Sequence, residues 1–393
     1  MSDDLLAELL AKPVGPELAK REPRANDFTR EIEQSGNRLT ATIRDREGKV
    51  NEGTALDYLT EEGLDADEWE ATGFRKVKYG RTDEPMESVT FSFKRKGAEA
   101  FSLELGIEKL LAEIQDYVPV DVRPTGSHGY LVLLGDMQFG KIDGDGPAGT
   151  VRRVIDCLNR AADRLALYRK SFDIGHIHVG WLGDHVEGFV SQNGANAWRT
   201  QLTLTEQIRL TRRVMLHALK LFAPLAQRVT MTAIPGNHGE TVRFEGKGVT
   251  RYDDSHDTES LIAVKDAAEL APEKFGHVQF YVPHTDELVV LNEVAGTVVA
   301  QAHGHKHRPE KHFEWWTQQA FNRESPMHMA DLLVEGHLHH KETDSDGSRD
   351  FIGLPALESE STWFRHQKGS GGAPGLTVAI TKDGFTDIVE TIR

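Results

Sequence analysis

Five short β-rich runs in this chain each lead into a loop that sets carboxylate, amide or imidazole groups beside glycine, and this recurrence limits the fold more than any other feature. Leu131 to Leu134 runs into Gly135-Asp136-Met137-Gln138, and Ile177 to Leu182 into Gly183-Asp184-His185-Val186-Glu187-Gly188. Val229 to Ile234 precedes Gly236-Asn237-His238-Gly239-Glu240. Val298 to Ala302 leads to His303-Gly304-His305-Lys306-His307, and Leu332 to Val334 to Gly336-His337-Leu338-His339-His340. In open α/β sheets ligands gather beyond the carboxyl ends of the strands, so the five loops are expected to share one rim. Glycine beside each polar group lets the backbone turn sharply and lets a substrate approach.

The stretches between these runs support a layered α/β protein. Val151 to Arg169 carries an apolar stripe of Val151, Val154, Ile155, Leu158, Ala162 and Leu165 at helical spacing, and Thr205 to Phe222 reads as a second long helix. Leu288 to Leu291 adds a strand, and a flexible Gly369 to Gly375 loop precedes a last strand pair, Leu376 to Ile380 and Thr386 to Glu390. At 393 residues the chain exceeds one small core. The expected division is a partly ordered leader (1–35), a small α+β module (36–118), a linker (119–129) and the main domain (130–393). In the module, Leu39 to Ile43 and Val89 to Phe93 alternate like strands, while Thr54 to Glu62, Asp65 to Glu70 and Leu103 to Ile114 read as helical. Its basic residues, Arg75, Lys76, Lys78, Arg81, Lys94, Arg95 and Lys96, fit either a solvated charged face or a surface that docks nucleic acid or a partner.

Composition narrows the chemistry. The one cysteine, Cys157, excludes an intramolecular disulfide framework and a thiolate metal cluster, so a metal site must use His, Asp, Asn, Gln or Glu. A net charge of −16 argues against indiscriminate polyanion binding and leaves room for a local basic groove or a divalent-cation site. No run approaches the roughly 20 apolar residues of a membrane span, and Met1-Ser2-Asp3-Asp4 lacks the positive start of a secretory signal. No membrane association and a cytoplasmic location are therefore expected.

The loops supply what metal-assisted phosphoester chemistry needs. Two divalent ions roughly 3.5–4 Å apart require a bridging carboxylate with oxygen and imidazole ligands on either side, and can activate a water for in-line attack on phosphorus. One Asp to bridge, a second Asp, amide oxygens from Gln and Asn and several imidazoles are all present. This mixed set suits Mn²⁺, Fe or Zn better than Mg²⁺ or Ca²⁺.

Asp-x-Gln, Gly-Asp-x-x-Glu, Gly-Asn-His-Gly-Glu, His-Gly and Gly-His-x-His, in that order over residues 130–393, resemble the motif series of the calcineurin-like metallophosphoesterases. The layout with a preceding α+β module is similar to phage-encoded exonuclease-like members grouped with the DNA double-strand-break-repair nucleases. The resemblance implies a layered β-sandwich flanked by helices and a two-metal phosphodiesterase, a nuclease hydrolysing DNA, with Mn²⁺ the expected ion. Same-fold alternatives are a cyclic-nucleotide phosphodiesterase or a protein phosphatase; a non-catalytic scaffold is the alternative from another class. It assigns Asp136, Gln138 and His339 to the first ion, Asp184 to both, and Asn237, His303 and His337 to the second. His238 becomes the acid that protonates the leaving oxygen, with Glu187 orienting it. A phage origin, acting in the host cell, and a partner protein or a second copy of the chain also follow as expectations. Gln138 stands where the family usually has His, and Glu187 where it has Asp or Asn.

Other residues carry competing readings. His303, directly after its strand, is preferred over His305 as a ligand, while His307 and His340 read as rim residues. His176 and His178 read as satisfied structural histidines. Trp315 and Trp316 fit base stacking or lid packing, as do Trp363-Phe364-Arg365 a stacking platform or a packing layer, and Arg199 reads as solvated rather than phosphate-binding.

Overall fold

The computed structural model describes residues 30–95 and 124–393, apart from 36–37, 47–48, 82–83, 190–193, 195–199, 245–246, 249 and 360–371. The expectations for Leu5 to Leu10, Leu103 to Ile114, Arg199 and Trp363-Phe364-Arg365 lie outside the described residues. The described residues fall into two compact units, one within residues 30–95 and one within residues 124–393.

In the first unit, strands β1 (Arg30–Ser35), β2 (Arg38–Arg46), β3 (Trp69–Arg81) and β4 (Glu84–Arg95) form an antiparallel sheet in the order β1-β2-β4-β3. Helix α1 (Glu52–Glu61) starts at a capping box, in which Asn51 Oδ1 accepts from the Thr54 amide and Thr54 Oγ1 accepts from the Asn51 amide. It lays Ala55, Tyr58 and Leu59 on Leu39, Ala41, Ile43, Phe91 and Phe93. The expected helix over Asp65 to Glu70 is corrected. Only a 3-10 turn, Ala66–Glu68, forms there, because Trp69 already pairs with Arg95 at the start of β3.

The second unit is a mixed α/β sandwich, in agreement with the fold class expected. Among the described residues its two large sheets hold six and five strands, and a short pair, β8 (Arg243–Phe244) and β9 (Lys247–Gly248), lies outside them. The first is built from β5 (His128–Leu134), β6 (Ile174–Trp181), β7 (Arg228–Ala233) and β10 (Val278–Tyr281), all parallel, with β16 (Leu376–Lys382) antiparallel beside β5 and β17 (Phe385–Ile392) antiparallel to β16, in the order β10-β7-β6-β5-β16-β17. In the second, β12 (Thr297–Ala302), β13 (Leu332–Glu335) and β15 (Arg349–Gly353) are parallel, flanked by antiparallel β11 (Val290–Val294) and β14 (Glu342–Asp346).

Strand periodicity sorts the layers. On β5, Leu131 and Leu133 face the other sheet and meet Val299, Leu332 and Val334, whereas Tyr130, Val132 and Leu134 face helices. Those helices are α2 (Gly146–Tyr168), α3 (Leu204–Phe222) and α4 (His256–Glu269), packed through Val154, Leu158, Val214, Leu261 and neighbours. The short α5 (Pro272–Phe275) leads into β10. The outer face of the second sheet is covered by α6 (His312–Phe321), whose Trp316 is buried against Ala300, Leu333 and Phe351. Its indole N–H donates to the Met327 carbonyl, so Trp316 is a core residue and the base-stacking or lid reading is corrected.

A polar seam crosses the apolar space between the sheets. His176 Nε2 bonds Thr230 Oγ1 at 3.0 Å, His178 Nδ1 bonds the same hydroxyl at 2.8 Å, and His178 Nε2 bonds Gln301 Oε1 at 3.0 Å. Gln301 Nε2 then donates to Asn292 Oδ1, which also accepts from Thr232 Oγ1. Because Gln301 presents its oxygen to His178, Nε2 carries the ring proton and Nδ1 accepts from Thr230. His178 thus has the satisfied structural role read from the sequence. Among the described residues, no helix is long and apolar enough to cross a membrane.

Candidate metal centre

All five loops leave the carboxyl ends of parallel strands: β5, β6 and β7 from one sheet, β12 and β13 from the other. Backbone bonds stitch them together. The Asp136 amide donates to the Gly183 carbonyl, the Gln138 amide to the Asp184 carbonyl, and the His337 amide to Asp136 Oδ2 at 2.8 Å. His303 Nδ1 bonds the Leu182 carbonyl at 2.7 Å, which leaves Nε2 facing Asp184 Oδ2 at 2.9 Å.

Close approach dictates the glycines. A Cβ at Gly236 would collide with Asp184 Oδ1 and its amide nitrogen. At Gly183, with φ of +83°, it would stand 2.8 Å from both the Gly236 nitrogen and His303 Nδ1. The ligand candidates themselves adopt unusual backbone: Asp136, Gln138, Asp184, His337 and His339 have φ of 51°, 41°, 52°, 68° and 57°. Left-handed geometry at L-residues is a strain that collects at functional sites.

Asp184, His303 and His337 bring ligand atoms within 4.8 Å of one another, the one such His/Cys/Asp/Glu group among the described residues. Asn237 Oδ1 is buried without a hydrogen-bond partner. A divalent ion suits this half: one carboxylate, one amide oxygen and two imidazoles form a mixed set in which an uncompensated buried oxygen gains a ligand role. His305 does not join the group, although its ring lies 5.4 Å from that of His303.

The other half, Asp136, Gln138 and His339, is arranged differently. His339 Nε2 faces Asp136 Oδ1 at 3.2 Å, and its Nδ1 faces Glu358 Oε1 at 3.0 Å. Gln138 Oε1 accepts from Lys141 Nζ at 3.0 Å, and the same ammonium pairs with Glu358 Oε2 at 2.7 Å.

His238 stands beside Asp184 and Glu187. Its amide donates to Asp184 Oδ1 at 2.7 Å, while Nδ1 lies 3.0 Å from the Glu187 carbonyl and 3.3 Å from the Glu187 carboxylate. Burial alone would push its pKa down, but the Asp184 charge and the bonds to Glu187 outweigh burial and raise it to about 10. The same contest raises His303 to about 9 through Asp184 and His339 to about 9 through Asp136 and Glu358. Burial, reinforced by His303, instead lowers His337 to about 4, which leaves that ring neutral with a free lone pair. Asp184 is held well below the carboxylate range, since the neighbouring imidazoles overcome the burial that opposes its charge.

Sequence reasoning missed three residues that hold this arrangement. Asp257, in the first turn of α4, accepts the Asp184 and Gly236 amides through Oδ2 at 3.0 and 2.9 Å and the His185 amide through Oδ1 at 3.0 Å. It ties the second and third loops to one carboxylate. Glu358 and Lys141 are the others. Acids in a first helical turn are ordinary dipole partners, so only the proximity of Asp257 to two metal-type loops would have singled it out.

No family model matches the chain. No curated protein matches it either. Among solved structures, an archaeal phosphodiesterase is similar over 67% of this chain and 99% of its own, with 11% identity and a TM-score of 0.31. A predicted phosphoesterase from Streptococcus pneumoniae matches over 67% and 88%, at 13% identity and a TM-score of 0.29. Zn²⁺-complexed Vps29 from Entamoeba histolytica matches over 67% and 98%, at 11% identity and a TM-score of 0.28.

Proposed function

We propose that residues 130–393 form a metal-dependent phosphoesterase domain of the calcineurin-like type, and that its substrate is a phosphodiester of DNA, which it cuts as a nuclease. The observation that carries this reading is the convergence of Asp184, His303 and His337, together with the buried, unpartnered Asn237 Oδ1 and the His238–Glu187 pair. In this reading Asp136, Gln138, Asp184, Asn237, His303, His337 and His339 surround the metal centre, and Mn²⁺ is the ion. A bound divalent ion supplies Lewis-acid charge for a phosphoryl oxygen and a nucleophile at neutral pH.

The chain's own residues do the rest. With Nδ1 directed at Glu187, His238 keeps its deliverable proton on Nε2, and its bonds to Glu187 favour the charged ring. That imidazolium protonates the leaving oxygen and steadies the charge that develops on it. The DNA assignment draws on the first unit, where Phe74 is 70% exposed on β3 and exposed Lys76, paired with Glu87, and Lys78 follow on the same strand face. An exposed ring for base stacking among cations for phosphate is chemistry suited to single strands.

The test is hydrolysis by the purified full chain with Mn²⁺ of bis(p-nitrophenyl) phosphate and of single-stranded and duplex DNA, set beside cyclic nucleotides and phosphopeptides, with a chelator control. Diester cleavage that the chelator stops supports the reading, and failure on every diester refutes it. His238→Ala is expected to cut turnover about 10²–10⁴-fold with metal content intact. Unchanged turnover would remove the assigned role.

A further inference from the structure

The two halves of the centre differ in what their amide oxygens already do. Asn237 Oδ1 is buried with no partner, whereas Gln138 Oε1 accepts the Lys141 ammonium at 3.0 Å. Lys141 follows Gln138 by one turn, closed by its own amide donating to the Gln138 carbonyl at 3.1 Å. Its side chain is 12% exposed, and Nζ also meets Glu358 Oε2 at 2.7 Å, a carboxylate whose other oxygen engages His339. The result is a closed chain of contacts, Gln138 to Lys141 to Glu358 to His339 to Asp136. A neutral amide oxygen is a weaker metal donor than imidazole, and one already bonded to an ammonium must exchange that bond to ligate. A second positive ion brought to Gln138 must also compete with the Lys141 ammonium, which Glu358 at 2.7 Å and Asp143 at 4.0 Å hold in place. In the other half, Asp184, His303 and His337 bring their ligand atoms within 4.8 Å of one another.

We propose that this centre binds one divalent ion, held by Asp184, Asn237, His303 and His337, and that the Lys141 ammonium supplies the positive charge of the other half. The inference rests on the phosphoesterase reading and makes it specific: one half of the charge facing a phosphoryl group is metal-borne and exchangeable, and the other is covalently part of the chain.

The experiment is metal stoichiometry on the chelator-stripped full chain. Mn²⁺ is titrated calorimetrically, and electron paramagnetic resonance separates isolated from spin-coupled ions. One isolated Mn²⁺ per chain, lost in His303→Ala and retained in Asp136→Ala, is the expected result. The double variant Gln138→His with Lys141→Met is expected to take up a second, coupled ion, which a merely structural lysine would not predict. Two coupled ions per wild-type chain overturn the inference and leave the phosphoesterase reading standing. One ion retained in His303→Ala and lost in Asp136→Ala also overturns it. No bound ion overturns both.

Discussion

Lowering the pH should weaken this fold at the polar seam between its two sheets. His178 is fully buried, its Nδ1 accepts from Thr230, and its Nε2 donates to Gln301. Burial lowers its pKa from 6.5 to about 4, and protonation would also turn the accepting Nδ1 into a second donor facing a hydroxyl that donates to it. Below pH 6.5 the unfolded chain takes up this proton and the folded chain does not, so the stabilising contribution is full above 6.5 and falls as the pH drops toward 4. The 2.5-unit gap between 6.5 and about 4 amounts to about 3 kcal/mol, of which about 2 kcal/mol is lost by pH 5. His178→Gln keeps an amide that can bond both neighbours and removes the titration. Urea unfolding of both proteins, followed by tryptophan fluorescence at pH 7.5 and pH 5, isolates the difference. The wild type should lose about 2 kcal/mol more stability than the variant over that interval. Parallel losses in the two proteins would refute the assignment of a neutral, hydrogen-bonded His178.

Other substitutions probe the scaffold of the centre. Asp257→Ala strands three buried amides from two ligand loops, so unfolding free energy should drop by about 3 kcal/mol or more and Mn²⁺ affinity by about 10–100-fold; calorimetry showing wild-type affinity would sink the clamp role. Gly236→Ala should displace the Asp184 carboxylate and abolish detectable Mn²⁺ binding while circular dichroism stays native, and an intact binding isotherm would show that the loop has slack. Trp316→Ala should cost about 3–5 kcal/mol in urea unfolding and leave Mn²⁺ stoichiometry unchanged, because its ring packs on the sheet face away from the centre.

The parts legible in the sequence were those with strong local grammar. The β5, β6, β7, β12 and β13 runs are apolar and β-branched, and each delivers its polar loop directly, so strand and site could be read together. Helix α4 was not read, because Ala, Asp and Thr dilute its apolar stripe; its burial comes from tertiary packing of Leu261 and Val264. Strand β14, Glu-Thr-Asp-Ser-Asp, has no apolar alternation and is a strand only because β15 pairs with it. The part played by Asp257 was invisible for a related reason. A carboxylate that acts on backbone amides 21 and 73 residues away leaves no spacing signature.

The left-handed backbone at Asp136, Gln138, Asp184, His337 and His339 bears on how this protein can change over time. Each such L-residue costs on the order of 1 kcal/mol or more, and together they approach the whole margin by which a domain of this kind stays folded. Selection for heat resistance alone would therefore favour glycine or asparagine at these positions and erase the present side chains one at a time. A lineage that keeps Asp and His there under such pressure is under a second constraint, and the persistence of those costly residues can be scored without any assay of activity.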